Sequence, residues 1–195
     1  MAVTAWKYPS ALTTVSFYDV AWGNPTALYQ AADSSGAFLG KFESSHRINF
    51  RDYGFTTSDV PSGATIDGIE VKTRARKSGV AAPMLILTGI ADTNLNIHTI
   101  DEPVSALTAS DTAYTHGSPT EDWGISGLDD VLVRSADFGA SLYAYNGDPV
   151  NFASVVHSEV NVRIYYTVSG PSLTLPTETS ITTTTATIGC TTDTA

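Results

Sequence analysis

The segment from residue 54 to 77, GFTTSDVPSGATIDGIEVKTRARK, constrains the fold more than any other part of the chain. Its second half alternates between apolar or small residues (Ile69, Val71, Thr73, Ala75) and charged residues (Glu70, Lys72, Arg74, Arg76). A period of two is typical of a β-strand with one buried and one exposed face. One-sided strands belong to antiparallel sheets, because strands buried on both faces read as continuous apolar runs. The segment therefore predicts a long antiparallel strand after a Pro/Gly turn at 59–63.

The rest of the chain also indicates β-structure. A second alternating run covers 159–168, and shorter strands are predicted within 46–56, at 83–88, near 112–115 and at 138–144. Charged residues make up only 15% of the chain, against about 25% in a typical domain. We predict an all-β fold for residues 1–168: an antiparallel β-sandwich, jelly-roll-like. The turn at 77–79 further predicts that the long strand and the 83–88 strand form a hairpin.

A change in composition marks the end of this domain. We predict a linker at 169–172, and the residues from 172 to 195 contain eleven threonines and no aromatic residue. This segment is too short to bury a core of its own. We therefore expect residues 173–195 to be the first strands of an incomplete second domain.

Charge and composition argue against several classes of partner. The net charge of −10 disfavours binding to nucleic acid and to anionic membranes. No apolar run approaches the ~18 residues of a membrane span, and the N-terminus does not resemble a secretory signal. The single cysteine, Cys190, excludes a disulfide within the chain and a cysteine-based metal site.

Motifs that would indicate catalysis are absent from the sequence. There is no G-x-S-x-G, H-E-x-x-H, glycine-rich phosphate loop or C-x-x-C. The histidines lack metal-type spacing: His46, His98, His116 and His157. Carboxylates that are neighbours in sequence, such as Glu121 and Asp122, read as solvated loop acids, with a structural Ca²⁺ as the alternative. We expect no enzymatic activity, no catalytic residue, no metal site and no cofactor.

Two groups of residues are candidates for contact with other molecules. The first is the basic run Lys72, Arg74, Arg76 and Lys77, which holds four of the ten basic residues. It is either a solvated outer face that protects a sheet edge or a docking surface for an acidic partner, such as a neighbouring subunit. The second group consists of aromatic residues: Trp22, Trp123 and Tyr145. Protein contact is the first interpretation for these rings, and a sugar-stacking platform is the alternative.

Several short strings resemble structural proteins of tailed bacteriophages. They are Gly54-Phe55, the run VPSGATIDGIEV at 60–71, the pair Trp123-Gly124 and the run VNVRIYY at 160–166. The resemblance covers about residues 20 to 168, and Val60 departs from it because the pattern favours Ile. The tail from Pro171 to Asp193 resembles the start of fibronectin type III or Ig-like modules.

The resemblance implies a non-enzymatic virion protein, either a capsid decoration protein, a head fibre or a tail-associated protein. It would dock on the virion surface and present a C-terminal Ig-like module. Its partners would be other capsid or tail proteins and further copies of itself, with a trimer favoured. Its location would be the virion, after assembly in the cytoplasm of the bacterial host. The alternative is a tail-associated receptor- or carbohydrate-binding module.

Overall fold

The fold is known from a computed structural model, which describes residues 1–15, 23–24, 26, 37–39, 47–79, 84–92, 96–98, 107–146 and 153–170. The strands in these ranges are β1 (Ala2–Val3), β2 (Ala11–Val15), β3 (Ala37–Leu39), β4 (Arg47–Arg51), β5 (Thr65–Gly79), β6 (Met84–Ala91), β7 (Ile97–His98), β8 (Thr112–Gly117), β9 (Gly139–Asn146) and β10 (Ala153–Thr167). One helical turn, α1 (Asp130–Val133), accompanies them. The predicted all-β class is confirmed.

The strands form two five-stranded antiparallel sheets. Sheet A has the order β1-β10-β5-β8, with β3 also paired to β10, and sheet B has the order β2-β4-β9-β6-β7. From β1 to β6 each strand lies in the sheet opposite to the strand before it. This repeated crossing between two sheets is the connectivity of a jelly-roll-like sandwich, as the sequence predicts.

The two long alternating runs of the sequence are direct partners. β5 pairs with β10 from Thr65 opposite Thr167 to Gly79 opposite Ala153, with irregularities near residues 157–159 and 165–166. The inward side chains of both strands are fully buried: Ile69, Val71, Val160, Val162 and Ile164. They join one core with residues of sheet B such as Ile48, Phe50 and Leu142. Burial of this apolar surface is the main favourable term in folding.

The predicted hairpin between β5 and β6 is wrong. β5 is paired on both sides, with β10 and with β8, so no hydrogen-bonding edge is left for β6. β6 instead lies in sheet B between β9 and β7. A turn signal between two strand patterns does not distinguish a hairpin from a crossing to the opposite sheet.

Trp123 closes one end of the core. Its indole Nε1–H donates to the carbonyl oxygen of Ile69 at 2.9 Å, and the residue is 3% exposed. A positive φ of 58° at Trp123 is followed by 67° at Gly124, which allows the loop to turn the ring inward. The segment 129–134, for which the sequence left a helical turn or an edge strand open, forms α1, with Asp129 as its N-cap.

β10 ends at Thr167, next to the predicted domain boundary at residue 168, and the second module stays a prediction. Residues 168–170 follow β10 without regular structure. Residue 171 onward, including the second half of the predicted linker and the whole predicted second module, lies outside the described residues. No helix within the described ranges has the length and hydropathy needed to cross a membrane.

The buried His157 makes stability depend on pH. Burial lowers the pKa of His157 from 6.5 to about 3, so the folded protein keeps the ring neutral while the unfolded chain protonates it. Stability is then fully present above about pH 6.5 and is lost as the pH falls, at about 1.4 kcal/mol per pH unit. Between about pH 7 and about pH 5, we expect the wild type to lose about 2 kcal/mol more than His157→Gln in urea unfolding. Equal losses in the two proteins would contradict this assignment.

Candidate functional site

The sandwich offers two outer faces, one on each sheet, and they differ in how their polar groups are paired. The outward side chains of β5 and β10 form what we call the charged face: Glu70, Lys72, Arg74, Arg76, Glu159, Asn161, Arg163 and Tyr165. The alternation of core and outward residues in both strands places these groups together.

Glu159 is the centre of one half of the charged face. Its carboxylate accepts from Lys72 Nζ at 2.8 Å, from Arg74 Nε at 3.3 Å and from Asn161 Nδ2 at 2.7 Å. The side chain is only 5% exposed. Burial by itself would raise the pKa of Glu159, but the hydrogen bonds from Lys72 and Asn161 and the positive charge of Lys72 outweigh it and lower the pKa. The carboxylate is therefore ionised and fully engaged within the sheet.

Glu70 is the centre of the other half. It accepts from Arg163 Nε at 2.5 Å and from the Tyr165 hydroxyl at 3.1 Å. The N-terminal segment covers this region, where the Trp6 ring centroid lies 4.5 Å from Arg163 Cζ and 5.0 Å from Lys72 Nζ. These are cation–π distances. Both carboxylates of the charged face are thus paired with its own residues, while Asn161 Oδ1 is buried without a partner among the described residues.

This pairing changes the interpretation of the predicted basic run. Lys72 is paired with Glu159, and Arg74 is paired with both Glu159 and Asp111. The side chain of Arg76 forms no ion pair or hydrogen bond with any described residue. The backbone amide of Lys77 donates to the carbonyl oxygen of Thr108. Docking of this run on an acidic partner stays a prediction. The face offers less net positive charge than the sequence alone suggests.

Of the three predicted aromatic contact residues, Trp123 alone has a described side chain. Trp22 lies outside the described residues, and Tyr145 belongs to β9 but its side chain is not described. Trp123 is buried against Ile69, so its ring serves the core and is not an outward surface.

The outer face of sheet B carries fewer charged residues than the charged face of sheet A. In β4 the residues Ile48 and Phe50 are 1% exposed and belong to the core. Because neighbours in a strand point to opposite faces, Arg47, Asn49 and Arg51 lie on the outer face of sheet B. The sequence Arg-Ile-Asn-Phe-Arg shows this alternation directly.

A row of small and polar residues crosses the middle of sheet B. Thr13 of β2 is opposite Asn49, Asn49 is opposite Ser141 of β9, and Ser141 is opposite Gly89 of β6. A second row places the small residues Ala11, Gly139 and Ala91 beside Arg51. We call the side of sheet B formed by these two rows the polar trough, and the small and polar residues of its floor (Asn49, Gly89, Ala91, Gly139 and Ser141) are buried in the folded chain.

The central pair of the polar trough has no hydrogen-bonding partner among the described residues. Asn49 is fully buried, yet neither its Oδ1 nor its Nδ2 is hydrogen-bonded. Ser141 is 2% exposed and its Oγ is likewise unpartnered. Buried polar side chains are hydrogen-bonded in the large majority of cases. These two unsatisfied neighbours are the feature that most clearly marks the trough as a candidate site.

The rim of the polar trough is more accessible than its floor. It consists of half-buried side chains: Thr13, Arg47, Arg51 and Tyr143. Arg51 forms an ion pair with Asp137 through Nη1, but its Nε is buried without an acceptor. Together, rim and floor present amide, hydroxyl and guanidinium groups around one aromatic ring.

The carboxylate that contacts the rim of the polar trough among the described residues is Asp137, which is paired with Arg51. The five strands of sheet B contain no Asp or Glu. Glu70 and Glu159 on the charged face are held by cations. No group of His, Cys, Asp or Glu that could hold a metal ion occurs among the described ranges.

Comparisons with known proteins were made for sequence families, curated proteins and solved structures. No family model and no curated protein matches the chain. The CBM22-1 xylan-binding domain from Paenibacillus barcinonensis Xyn10C matches 86% of this chain and 97% of its own, at 12% identity and a TM-score of 0.40. The CBM22-1–GH10 modules of Clostridium thermocellum xylanase 10B match 87% of this chain and 29% of their own, at 7% identity and a TM-score of 0.44. The xylan-binding module CBM15 matches 80% of this chain and 96% of its own, at 11% identity and a TM-score of 0.39.

The pairing of Glu159 predicts a measurable loss when its charge is removed. Glu159→Gln leaves Lys72 without its carboxylate and leaves Arg74 only the longer ion pair with Asp111 at 3.7 Å. We expect unfolding free energy to fall by about 1–3 kcal/mol near neutral pH. Because the pKa is lowered on folding, this contribution is present above the unfolded pKa and disappears as the pH falls through the folded pKa.

Urea unfolding of wild type and variant at about pH 7 and about pH 3.5 measures both effects. Arg76→Gln is the matched control, since its side chain has no described partner, and it should change stability by less than about 0.5 kcal/mol. A Glu159→Gln protein as stable as the control would show that the network contributes nothing.

Proposed function

We propose that the protein is a non-enzymatic carbohydrate-binding module whose ligand site is the polar trough on sheet B. The observation that carries this proposal is the adjacent pair Asn49 and Ser141, buried with every side-chain polar atom unpartnered. An amide and a hydroxyl together supply donors and acceptors. Sugar hydroxyls also donate and accept, so a glycan satisfies both groups at once.

Asn49 and Ser141 lower the stability of the fold, because both are buried without hydrogen-bond partners among the described residues. A buried polar group without a partner costs about 1–3 kcal/mol, and apolar residues of similar size would avoid this cost. Residues that lower folding stability in this way are expected at functional sites. Asn49 and Ser141 are thus better explained as ligand contacts than as packing residues.

Unpartnered polar atoms alone do not identify a ligand site. Thr73 and Thr88, which lie among core residues, also have unpartnered hydroxyls, and a buried water can satisfy such groups. Thr73 and Tyr114 are also unpartnered cross-strand neighbours, but Thr73 faces the core, whereas Asn49 and Ser141 lie on the side of sheet B opposite to the core. Because Asn49 is 0% and Ser141 2% exposed, a ligand contacts them only when the atoms that cover them move aside, and it first binds at the half-buried polar and aromatic side chains that border them.

Tyr143 supplies the apolar part of the proposed site. It follows Ser141 by two positions in β9, which places both residues on the outer face of sheet B. A tyrosine ring combines apolar area with a polar tip, which suits a sugar ring with its C–H face and its hydroxyls. The ring is half-buried and therefore partly accessible.

The absence of acids from the strands of sheet B supports a binding role without hydrolysis. Glycoside hydrolysis in most families needs two carboxyl groups on either side of the scissile bond. The trough strands carry no carboxylate, so a glycan bound there would not meet such a pair from the sheet itself.

The biological setting that we propose rests on the sequence resemblance alone. A tail-associated position on a phage particle would bring the polar trough to glycans on a bacterial surface. Docking on a capsid through Lys72, Arg74, Arg76 and Lys77 stays a prediction, as do assembly as a trimer and the C-terminal Ig-like module.

The test of the proposal uses Ser141→Ala, which removes a hydroxyl that forms no hydrogen bond in the folded protein. A glycan array identifies the best binder, and isothermal titration calorimetry measures its affinity for each variant. We expect binding to weaken by about tenfold, as loss of one hydrogen bond to the ligand implies. Unfolding free energy should be unchanged or higher by up to about 1 kcal/mol.

Two matched substitutions separate the site from the fold. Ser158→Ala makes the same change on sheet A, where the hydroxyl donates to Asp111 at 2.9 Å, and it should lower stability while leaving glycan affinity unchanged. Thr73→Val removes an unpartnered hydroxyl of the core and should raise stability without affecting binding. Loss of stability in Ser141→Ala without loss of affinity would refute the proposed site.

A further inference from the structure

We infer that the ligand of the polar trough carries a carboxylate, so that the glycan contains uronic acid or another acidic sugar, and that Arg47 and Arg51 bind it. This inference rests on the proposed function and specifies its ligand class. The evidence for the carboxylate is the distribution of charge between the two sheets, on which the proposal of carbohydrate binding does not depend.

The charge of sheet B has the opposite sign to that of the whole protein. The chain has a net charge of −10, yet the five strands of sheet B contain two arginines and no acidic residue. Both arginines lie in β4 on the face of the polar trough. Asp52, Asp92 and Asp137 flank these strands at the Arg51 end, so the positive charge is confined to the Arg47 end, where it raises the local concentration of anions.

The positive charge of Arg47 is not paired with a carboxylate among the described residues. It is half-buried, and it forms no ion pair or hydrogen bond with any described residue. A partly desolvated guanidinium without a counter-ion is unfavourable, whereas a carboxylate forms paired hydrogen bonds with its planar fork. Arg47 lies two positions from Asn49 on the same face, so one ligand can reach both.

Arg51 contributes a donor rather than a net charge. Its Nη1 is paired with Asp137, which balances the charge, while its Nε is buried and has no acceptor. The pair of arginines with Asp137 therefore carries one net positive charge. A single carboxylate at Arg47 neutralises it, and a sugar oxygen near Arg51 satisfies the free Nε.

The spacing of the two arginines sets a minimum size for the ligand. Residues four apart in a strand are separated by about 13 Å, which exceeds the width of one sugar ring. The central pair Asn49 and Ser141 lies between them. The ligand is therefore an oligosaccharide that spans the row, with its acidic sugar at the Arg47 end.

The experiment compares oligosaccharides of equal length on one array: neutral, uronate-bearing and sulfated. Affinities of the best binder are then measured for wild type, Arg47→Gln and Arg76→Gln. Arg76 is the matched control, because it is half-buried on the outer face of sheet A and has no described ion pair. We expect a uronate-bearing glycan to bind best, about tenfold more weakly with Arg47→Gln, and unchanged with Arg76→Gln. Its affinity should also fall between about 0.05 M and about 0.5 M NaCl.

The outcomes separate this inference from the proposed function. If neutral glycans bind best and Arg47→Gln binds them like wild type while Ser141→Ala does not, the inference is wrong and the binding proposal stands. Preference for sulfated over uronate-bearing glycans overturns the carboxylate assignment. If no glycan binds the wild type, both the function and the inference fail.

Discussion

The pairing of β5 with β10 is the interaction on which the rest of the structure depends. These are the two longest strands, and they are in register over nearly their whole length. Their inward residues supply the sheet A half of the core, against which Ile48, Phe50 and Leu142 of sheet B pack. Their outward residues hold the N-terminal segment through the cation–π contacts of Trp6. Sheet B is positioned by this core, and so is its outer surface.

The two outer faces illustrate a general contrast between stability and function. On the charged face, each buried carboxylate has its cations, as Glu159 has Lys72 and Arg74. On the polar trough, Asn49 and Ser141 are buried without partners. A carboxylate that already has its cations has little to gain from a ligand, whereas unpartnered polar groups such as those of Asn49 and Ser141 regain hydrogen bonds when a polar ligand arrives. The physical case for binding is therefore stronger at sheet B.

Much of the fold could be predicted from periodicity, and the site could not. The alternation within 54–77 and 159–168 predicted two one-sided antiparallel strands, and both exist because inward and outward positions differ sharply in polarity. The predicted inward position of Val168 is wrong, since it follows β10 and is 51% exposed. The β5–β6 hairpin was wrong because pairing depends on competition with distant strands, in this case β8 and β10. The run Arg47-Ile-Asn-Phe-Arg51 contained a signal for an outer face, but its cross-strand neighbours Thr13 and Ser141 are distant in sequence. The ion pair between Lys72 and Glu159 could not be predicted either, since the two residues are far apart along the chain. It reduces the unpaired positive charge that the sequence predicts for the basic run.

The most direct test of the central claim is to map where a glycan touches the protein. Two-dimensional ¹H–¹⁵N NMR spectra recorded during titration with the best array binder report on both faces at once. The account predicts that the side-chain amide signals of Asn49 and the backbone amides of β4 and β9 shift with the ligand, while the Trp6 indole signal does not. Shifts confined to Trp6, β5 and β10 would place binding on the charged face and contradict the account.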